Sequence, residues 1–451
     1  MIGFAYFHCG AFSMSMMQRG LLSSFLTLAF AVSWALPARA GLDDYVKKAD
    51  PAFAWTFVSS KTTDGTTVHW VKMTSQVWQG ITWSHNLSII EPKELAYPDA
   101  AVLFITGGKV GDGPRDGDLL TGLAIAKACQ ARVIVLPQVP NQPLLGGKNE
   151  DTLIAETFVR YLETKDEEWP LLFPMVKSAV RAMDAAQEFA KDKGKPITRF
   201  VVTGASKRGW TTWLTGASDP RVKAIAPMVI PTLNLDAQNK HQLENFGGKF
   251  SEQIQDYTDR GLIGRESRPN AKELLAMVDP FTYRSRLTLP KLQINGTNDP
   301  YWTLDSLNLY WDELVGPKWV VYLPNAGHGL DQNRHYAMSA IGALFRHTIG
   351  DKPFPKFSWK HDDHEGAMRL VVDAVPAPKS ALVWEAASDS LDFRKSKWSS
   401  TALEPKETMT IDKASPANGN VAFFADLEFE IDGFPYHLST QIRQTNVQPS
   451  Q

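Results

Sequence analysis

Three side chains in this sequence have the types and the order that nucleophilic catalysis requires. Ser206 lies between an apolar run and a helix-like run, which predicts a hydroxyl on a sharp strand-to-helix turn. Asp299 and His328 come later, each directly after an apolar run. A histidine can take the serine proton if a carboxylate holds the imidazole in the correct tautomer. The pattern therefore predicts acyl transfer, with Ser206 as nucleophile, His328 as base and Asp299 as its orienting acid.

Each motif also has an ordinary structural interpretation. Gly-x-Ser can supply a turn and a helix cap, and the Asn-Gly and Asn-Asp-Pro steps around Asp299 are good turn chemistry. His335 is a local rival of His328, but it is placed to start the following helix. The order serine, acid, histidine, with each residue after a strand, favours the catalytic interpretation.

The negative charge that develops on a substrate oxygen needs two backbone N–H donors. The residue after the nucleophile, Lys207, supplies one, and Gly107 or Gly108 in the loop after an earlier strand supplies the other. The Gly-Gly-Lys-Val-Gly sequence of this loop matches neither a P-loop nor a dinucleotide fingerprint, so we expect no cofactor. The His/carboxylate cluster at residues 361–365 is more typical of a solvated turn than of a metal site.

Candidate substrate-binding residues are fewer and leave alternatives open. Glu150 and Asp151 could receive the free amino terminus of a peptide, or they could place negative charge at the start of the helix near Thr152. The first alternative favours a peptide over an ester, but both substrate classes remain open. Trp302, close to Asp299, is a further binding candidate.

The cationic side chains beside the serine have two possible roles. Lys207 and Arg208 could face the cleft or pair with carboxylates such as Asp184 or Glu150. Tyr257, Arg260 and Arg265 are additional candidates from a polar insert.

Continuous apolar strands alternating with helices predict a mixed, mostly parallel sheet with helices on both faces. Residues 42–95 are predicted to add antiparallel strands at the start of this sheet. Each candidate site residue follows the carboxyl end of a strand, where such sheets bind ligands. A helix is also expected over 304–314. The predicted strands are 100–106, 132–136, 199–203, 222–230, 291–295 and 319–323.

The pattern divides the chain into segments. Residues 1–40 have the pattern of a secretory signal peptide. Arg19 precedes the apolar run 21–36, and Ala-Arg-Ala at 38–40 forms a cleavage site. Residues 41–352 form the predicted α/β domain, in which 232–285 is a helical insert expected to act as a lid. Residues 353–451 have the period-two pattern of a small β-sandwich.

The sequence and its composition indicate where the protein is located and which kinds of partner it binds. Cleavage near Gly41 predicts a secreted or periplasmic protein without stable membrane insertion, although an uncleaved anchor and a later start codon remain alternatives. Only Cys129 would then remain, so no disulfide framework is possible. A net charge of −2 over 451 residues gives no indication of nucleic-acid binding. The expected partner is a small-molecule or peptide substrate, and the oligomeric state stays open.

Several sequence blocks resemble the PhoPQ-activated pathogenicity-related protein family. They are Gly204-Ala-Ser-Lys-Arg-Gly-Trp-Thr-Thr-Trp-Leu214, Asp219-Pro-Arg-Val-Lys-Ala-Ile-Ala-Pro-Met-Val229, Leu233-Asn234 and Trp169-Pro-Leu-Leu-Phe-Pro-Met-Val176. The resemblance spans about residues 45–445. It implies an exported α/β-hydrolase-fold protein with a C-terminal β domain, similar in outline to dipeptidyl-peptidase-like serine hydrolases and acyl esterases.

One departure puts the tightness of the predicted turn in question. The general pattern Gly-x-Ser-x-Gly has glycine two residues after the serine, but Arg208 occupies that position and Gly209 follows it. The sequence thus predicts a secreted serine hydrolase that cleaves an ester or amide bond. The alternative is a non-catalytic secreted binding or signalling protein on the same scaffold.

Overall fold

The structure, a computed structural model, describes residues 41–263, 268–364, 367–414, 416 and 418–445. The predicted signal segment and Arg265 lie outside these ranges. Among the described residues, no helix combines the length and apolar character needed to cross a membrane.

The secondary structure alternates over most of the chain. The α-helices are α1 (Leu42–Lys47), α2 (Asp116–Cys129), α3 (Glu150–Thr164), α4 (Leu172–Asp192), α5 (Lys207–Ser218), α6 (Leu235–Asn245), α7 (Gln255–Thr258), α8 (Ala271–Val278) and α9 (Arg334–Ile349). The first strands are β1 (Ala54–Thr63), β2 (Thr66–Trp78), β3 (Ile81–Glu91), β4 (Ala100–Ile105), β5 (Arg132–Leu136), β6 (Arg199–Ala205), β7 (Val222–Met228), β8 (Lys291–Gly296) and β9 (Lys318–Leu323). The later strands are β10 (Lys356–His361), β11 (Ala367–Val375), β12 (Ser380–Ser388), β13 (Ser399–Leu403), β14 (Thr408–Ala414), β15 (Asn420–Ile431), β16 (Phe434–Ser439) and β17 (Arg443–Gln444).

One large sheet organises the molecule. Its order is β1-β2-β3-β5-β4-β6-β7-β8-β9-β16-β15-β12-β13, with β17 beside β15. Strands β1, β2 and β3 pair antiparallel, β3 meets β5 antiparallel, and the run from β5 to β9 is parallel. Every residue of β4 and β5 is buried, which explains why these strands are apolar without alternation, apart from Arg132, which pairs with Glu91.

Helices cover both faces of this sheet. Leu42, Met175 and Trp213, from α1, α4 and α5, belong to one apolar core. Ile125 and Leu344, from α2 and α9, belong to a second core that also contains alternate residues of the same strands. This mixed sheet, with helices on both faces and additional strands after it, has the α/β-hydrolase fold that the alternation predicted.

The C-terminal strands differ in one respect from a separate sandwich. Strand β16 pairs with β9 at Ser439 and Val320, so β16, β15, β12 and β13 continue the central sheet. Strands β10, β11 and β14 form a second sheet, and Phe357 of β10 contacts Phe429 of β15 with ring centroids 6.1 Å apart. Buried residues of the two sheets, such as Val372 of β11 and Val383 of β12, belong to the same apolar core, and the described residues from Gly41 onwards form one compact unit.

The segment between β7 and β8 is largely helical. It contains α6, α7 and α8 together with 3-10 turns at Glu252–Ile254 and Pro280–Arg286. The helix expected over 304–314 is wrong, because only Ser306–Leu309 forms a 3-10 turn there. The Ser306 hydroxyl donates to the Thr303 carbonyl, and Asp305 binds His241, so side chains compete with helical hydrogen bonding in this segment.

A buried lysine at the start of β8 makes the stability of this sheet depend on pH. Lys291 is fully buried, and its Nζ donates to the Val315 carbonyl at 2.5 Å. Burial, with a smaller contribution from the charge of Lys318, lowers the pKa of Lys291 from 10.5 to about 7. Between these values the unfolded chain binds the proton more tightly, so folding stability rises with pH in this window.

Lys291→Met is expected to remove that contribution. Between pH 7 and 9, the wild type should gain up to about 1.4 kcal/mol of unfolding free energy per pH unit relative to the variant. Urea denaturation at several pH values measures the difference, with Lys61→Met, an exposed lysine of β1, as control. Equal pH slopes for wild type and Lys291→Met would contradict the assignment.

Candidate active site

Ser206 occupies the strained turn between β6 and α5. Its backbone has φ 58° and ψ −125°, a conformation that only glycine adopts without strain. The Ser206 N–H donates to the Met228 carbonyl at 2.9 Å, which fixes the turn against the end of β7. A serine held in this way presents its hydroxyl above the sheet, as a nucleophile elbow requires.

Two glycines allow the close packing that this turn needs. A Cβ on Gly204 would lie 2.8 Å from the Arg208 carbonyl oxygen. A Cβ on Gly209 would lie 2.7 Å from Ile230 Cγ2 and 2.9 Å from the Met228 carbonyl oxygen. Gly209 therefore lets α5 approach β7, and the turn stays tight with Arg208 in the position that usually holds glycine.

Asp299 and His328 meet after β8 and β9. His328 Nδ1 lies 2.8 Å from Asp299 Oδ2, and Asp299 Oδ1 accepts the Tyr301 N–H at 2.9 Å. The Tyr301 ring stacks on the imidazole with centroids 4.1 Å apart. Asp299 is buried, so it can hold the imidazole in the tautomer that protonates Nδ1.

The other imidazole nitrogen is left unpaired. His328 Nε2 is buried and makes no hydrogen bond to any residue that the structure describes, Ser206 included. A buried imidazole nitrogen without a partner is free to accept a proton, which is what a general base requires. Catalytic hydrogen bonds are frequently long in a free enzyme and shorten when substrate binds.

The predicted oxyanion donors lie at the same edge of the sheet. Gly107 and Gly108 follow β4 after Thr106, and Lys207 is the first residue of α5. The Gly107 carbonyl accepts the Gln138 N–H at 2.8 Å, and Gly108 has φ +115°, in the region that favours glycine. A Cβ on Gly107 would overlap the Arg208 guanidinium, so a larger residue there would displace this side chain from its position.

Arg208 links the loops around the serine. Its Nη1 and Nη2 donate to Glu150 Oε2 and Oε1, both at 2.7 Å, and its Nε donates to the Val139 carbonyl at 2.5 Å. Gln142 also donates to Glu150, at 2.6 Å. Burial by itself would raise the pKa of Glu150, but the hydrogen bonds and charge of Arg208 outweigh it and lower the pKa to about 2.

Lys207 pairs with the second acid. Its Nζ lies 2.7 Å from Asp151 Oδ2, while the Tyr257 hydroxyl donates to Asp151 Oδ1 at 2.9 Å. Glu150 and Asp151 occupy the first turn of α3, as the capping alternative proposed, and both also pair with the cations beside Ser206.

Asp184, an expected partner of the cations beside Ser206, and Arg260, a binding candidate, both have other partners. Asp184 pairs with Arg181 and Arg221, so it does not serve Lys207 or Arg208. Arg260 pairs with Asp256 within the insert.

A pocket opens beside Ser206 under the insert. It encloses about 1330 Å³ of empty space, including the part open to solvent. Ser206, Lys207, Asp151 and Tyr301 line one part of it, and most of the remaining wall is apolar. Trp302, a predicted binding residue, also lines this pocket, and its buried Nε1 has no partner in the described ranges.

The remaining chemistry-bearing groups have structural surroundings. Within the described residues, no three His, Cys, Asp or Glu side chains converge as metal ligands, and Asp363 of the 361–365 cluster pairs with Arg443. Glu365 lies outside those residues. Cys129 is a buried free thiol whose pKa is raised by burial.

Tyr301 is the site residue that the sequence did not reveal. It contacts His328, its N–H binds Asp299, and its ring lies 5.8 Å from Lys207 Nζ. Its position between the predicted residues Asp299 and Trp302 was the available signal. A tyrosine in an Asp-Pro-Tyr-Trp turn is ordinary loop chemistry, so only the fold reveals the stacking.

Comparison with known proteins shows to which family the chain belongs. The model of the PhoPQ-activated pathogenicity-related protein family matches residues 42–394. The chain belongs to this family. It is 32% identical over 424 residues to Autocrine proliferation repressor protein A of Dictyostelium discoideum, which covers 86% of this chain and 85% of that protein.

Solved structures with a similar backbone have much lower identity. Acetyl xylan esterase 1 from Thermoanaerobacterium sp. JW/SL YS485 is 16% identical with a TM-score of 0.48, over 67% of this family member and 93% of that chain. The acetyl xylan esterase from Paenibacillus sp. R4 is 14% identical with a TM-score of 0.44, over 67% and 91%. The S-formylglutathione hydrolase from Agrobacterium tumefaciens is 12% identical with a TM-score of 0.43, over 66% and 100%.

Asp299→Asn is expected to lower kcat for p-nitrophenyl ester hydrolysis by roughly 10³- to 10⁴-fold, because an amide can stabilise the wrong tautomer of His328. Steady-state kinetics measure the loss, and circular dichroism checks the fold. Asp426→Asn is the matched control, since Asp426 also binds a histidine, His437 at 3.0 Å, but in the C-terminal strands. Equal kinetics for wild type and Asp299→Asn would contradict the role of Asp299.

The Arg208–Glu150 pair is expected to stabilise the fold above pH 4.5. Because the folded pKa of Glu150 is depressed from 4.5 to about 2, its stabilisation should be lost as pH falls through that window. Glu150→Gln should therefore cost on the order of 1 kcal/mol at pH 7 and progressively less towards pH 3. Urea denaturation of wild type, Glu150→Gln and the exposed control Glu163→Gln tests this, and a constant difference across pH would refute it.

Proposed function

We propose that this protein is a serine hydrolase that cleaves an ester or amide bond through an acyl-enzyme on Ser206. The observation that carries the proposal is the conformation of Ser206, at φ 58° and ψ −125° between β6 and α5. The contact of Asp299 with His328 in the required chain order supports it. We further propose export, supported by the cleavage signal at residues 38–40, and the N-terminal residue of the mature protein tests this point.

Acylation uses the unpaired nitrogen of the imidazole. Ser206 Oγ attacks the substrate carbonyl carbon while its proton passes to His328 Nε2, and the resulting imidazolium is stabilised by Asp299. The tetrahedral oxyanion is held by the N–H of Lys207 and the N–H of Gly107 or Gly108. When the intermediate collapses, the bond to the leaving group breaks and His328 returns the proton to that group.

Deacylation repeats these steps with water. His328 Nε2 takes a proton from a water molecule, whose oxygen attacks the acyl carbon of the Ser206 ester. The second tetrahedral intermediate releases the carboxylic acid, and the proton returns to Ser206 Oγ. The products are the acid and the alcohol or amine, and the enzyme is restored.

Ser206→Ala is expected to abolish labelling by a fluorophosphonate probe and to lower kcat/KM for p-nitrophenyl acetate at least about a thousandfold, because no other group replaces the nucleophile. Gel fluorescence and intact mass measure the labelling. Ser218→Ala, at the other end of α5, is the matched control and should label like wild type.

A binding or signalling protein on the same scaffold is the second candidate. The relative in Dictyostelium discoideum carries the name of an autocrine proliferation repressor, which describes a signalling role for that protein. The same labelling experiment separates the two candidates. Folded wild-type protein that does not react with the fluorophosphonate would count against the hydrolase and for the binding role.

A further inference from the structure

The apolar pocket beside Ser206 has a composition that restricts what the site can hold. Its wall combines side chains from four parts of the fold: α3, the start of α5 with the residues just after β7, the insert, and the loop after β8. The apolar residues that matter most are Phe158, Trp210, Ile230, Leu235, Leu274 and Leu275. Pockets that are mostly apolar with a few polar groups at one end bind apolar ligands and orient them through those groups.

The carboxylates that face Lys207 and Arg208 are already paired, whereas Asp236, Arg268 and Lys272 line the part of the pocket that the insert forms. Asp151 accepts from Lys207 Nζ at 2.7 Å and from the Tyr257 hydroxyl at 2.9 Å. Glu150 accepts two hydrogen bonds from Arg208 and one from Gln142. A substrate ammonium group would have to displace these partners, so the site is poorly suited to the free amino terminus of a peptide.

The position of His328 decides which side of the scissile bond enters the pocket. His328 must protonate the leaving group, so the leaving oxygen has to lie next to the imidazole. Ser206 lines the pocket, whereas His328 does not, and the Tyr301 ring lies on the pocket wall and stacks on the imidazole. The leaving alcohol is therefore directed towards His328, and the acyl group, which stays attached to Ser206, is directed into the pocket.

We propose that this pocket is the acyl site for an uncharged, apolar acyl group of several carbons, and that the natural substrate is an ester of such an acid. The proposal rests on the serine hydrolase function proposed above. It disfavours a cation close to the scissile bond, where Glu150 and Asp151 are already paired, and it assigns acyl-length specificity to the insert residues Leu235, Leu274 and Leu275.

A series of p-nitrophenyl esters tests the acyl assignment on the full chain. From acetate through butanoate and hexanoate, kcat/KM should rise roughly two- to fourfold per methylene, because each buried methylene adds apolar contact. The 6-ammoniohexanoyl ester, which adds a cation to the hexanoyl chain, should be at least about tenfold slower than the hexanoate. Highest activity on acetate, or on leucine p-nitroanilide with its free amino group, would overturn the proposal.

Two variants of α8 locate the specificity in the pocket. Leu275 lines the pocket and is half-buried, whereas its neighbour Ala276 is exposed. Leu275→Trp should lower the octanoate-to-acetate ratio of kcat/KM at least about tenfold by filling the pocket, and Ala276→Trp should leave the ratio unchanged. Unchanged ratios in both variants would reject the pocket as the acyl site.

A second substrate series separates the acyl side from the alcohol side. Ethyl, butyl and octyl acetate vary only the leaving alcohol, and their kcat/KM values should differ much less than those of the acyl series. A strong dependence on alcohol length with none on acyl length would overturn the orientation.

Fluorophosphonate labelling of Ser206 is measured in parallel. If labelling persists but the acyl series is flat, the acyl assignment alone fails. If folded wild type is not labelled, the proposed hydrolase function fails with it.

Discussion

The ion pair between Arg208 and Glu150 is the interaction on which the arrangement around Ser206 depends. From the first turn of α5, one guanidinium binds both carboxylate oxygens of Glu150, donates to the Val139 carbonyl and packs against Gly107. It thereby connects the nucleophile turn to the loops after β4 and β5 and to the start of α3. A planar guanidinium has donors on several sides, so it can hold three backbone segments at once, which a lysine ammonium does less well.

This arrangement divides the site into two functional sides. The histidine side is built from the loops after β8 and β9, where Asp299 orients the imidazole and Tyr301 stacks on it. The pocket side is built from α3, α5 and the insert, and its charges are neutralised by Arg208 and Lys207. Tyr301 belongs to both sides, since it contacts His328 and lines the pocket. In the proposed mechanism, proton transfer and substrate selection would therefore involve different elements that meet at Ser206.

Local patterns predicted the fold well where the strands are buried on both faces. Strands β4, β5, β6, β8 and β9 were recognisable because a parallel sheet between helices requires continuous apolar runs. The segment after Asp299 was predicted less well, since its side chains make contacts with residues distant in sequence, such as Asp305 with His241, that leave no local pattern. The continuation of the sheet into β16 was also hidden, since Ser439 and Val320 are more than a hundred residues apart.

The sequence by itself determined the alternating architecture, the order of Ser206, Asp299 and His328, and the family, because these depend on residue types and on spacing along the chain. Tertiary structure alone decided that Arg208 replaces a glycine without loosening the turn, since Gly209 supplies the close contact with β7. It also decided the partners of Glu150 and Asp151, which the sequence left between substrate binding and helix capping. Such pairings depend on distances between segments that are far apart in the chain, and no local pattern encodes those distances.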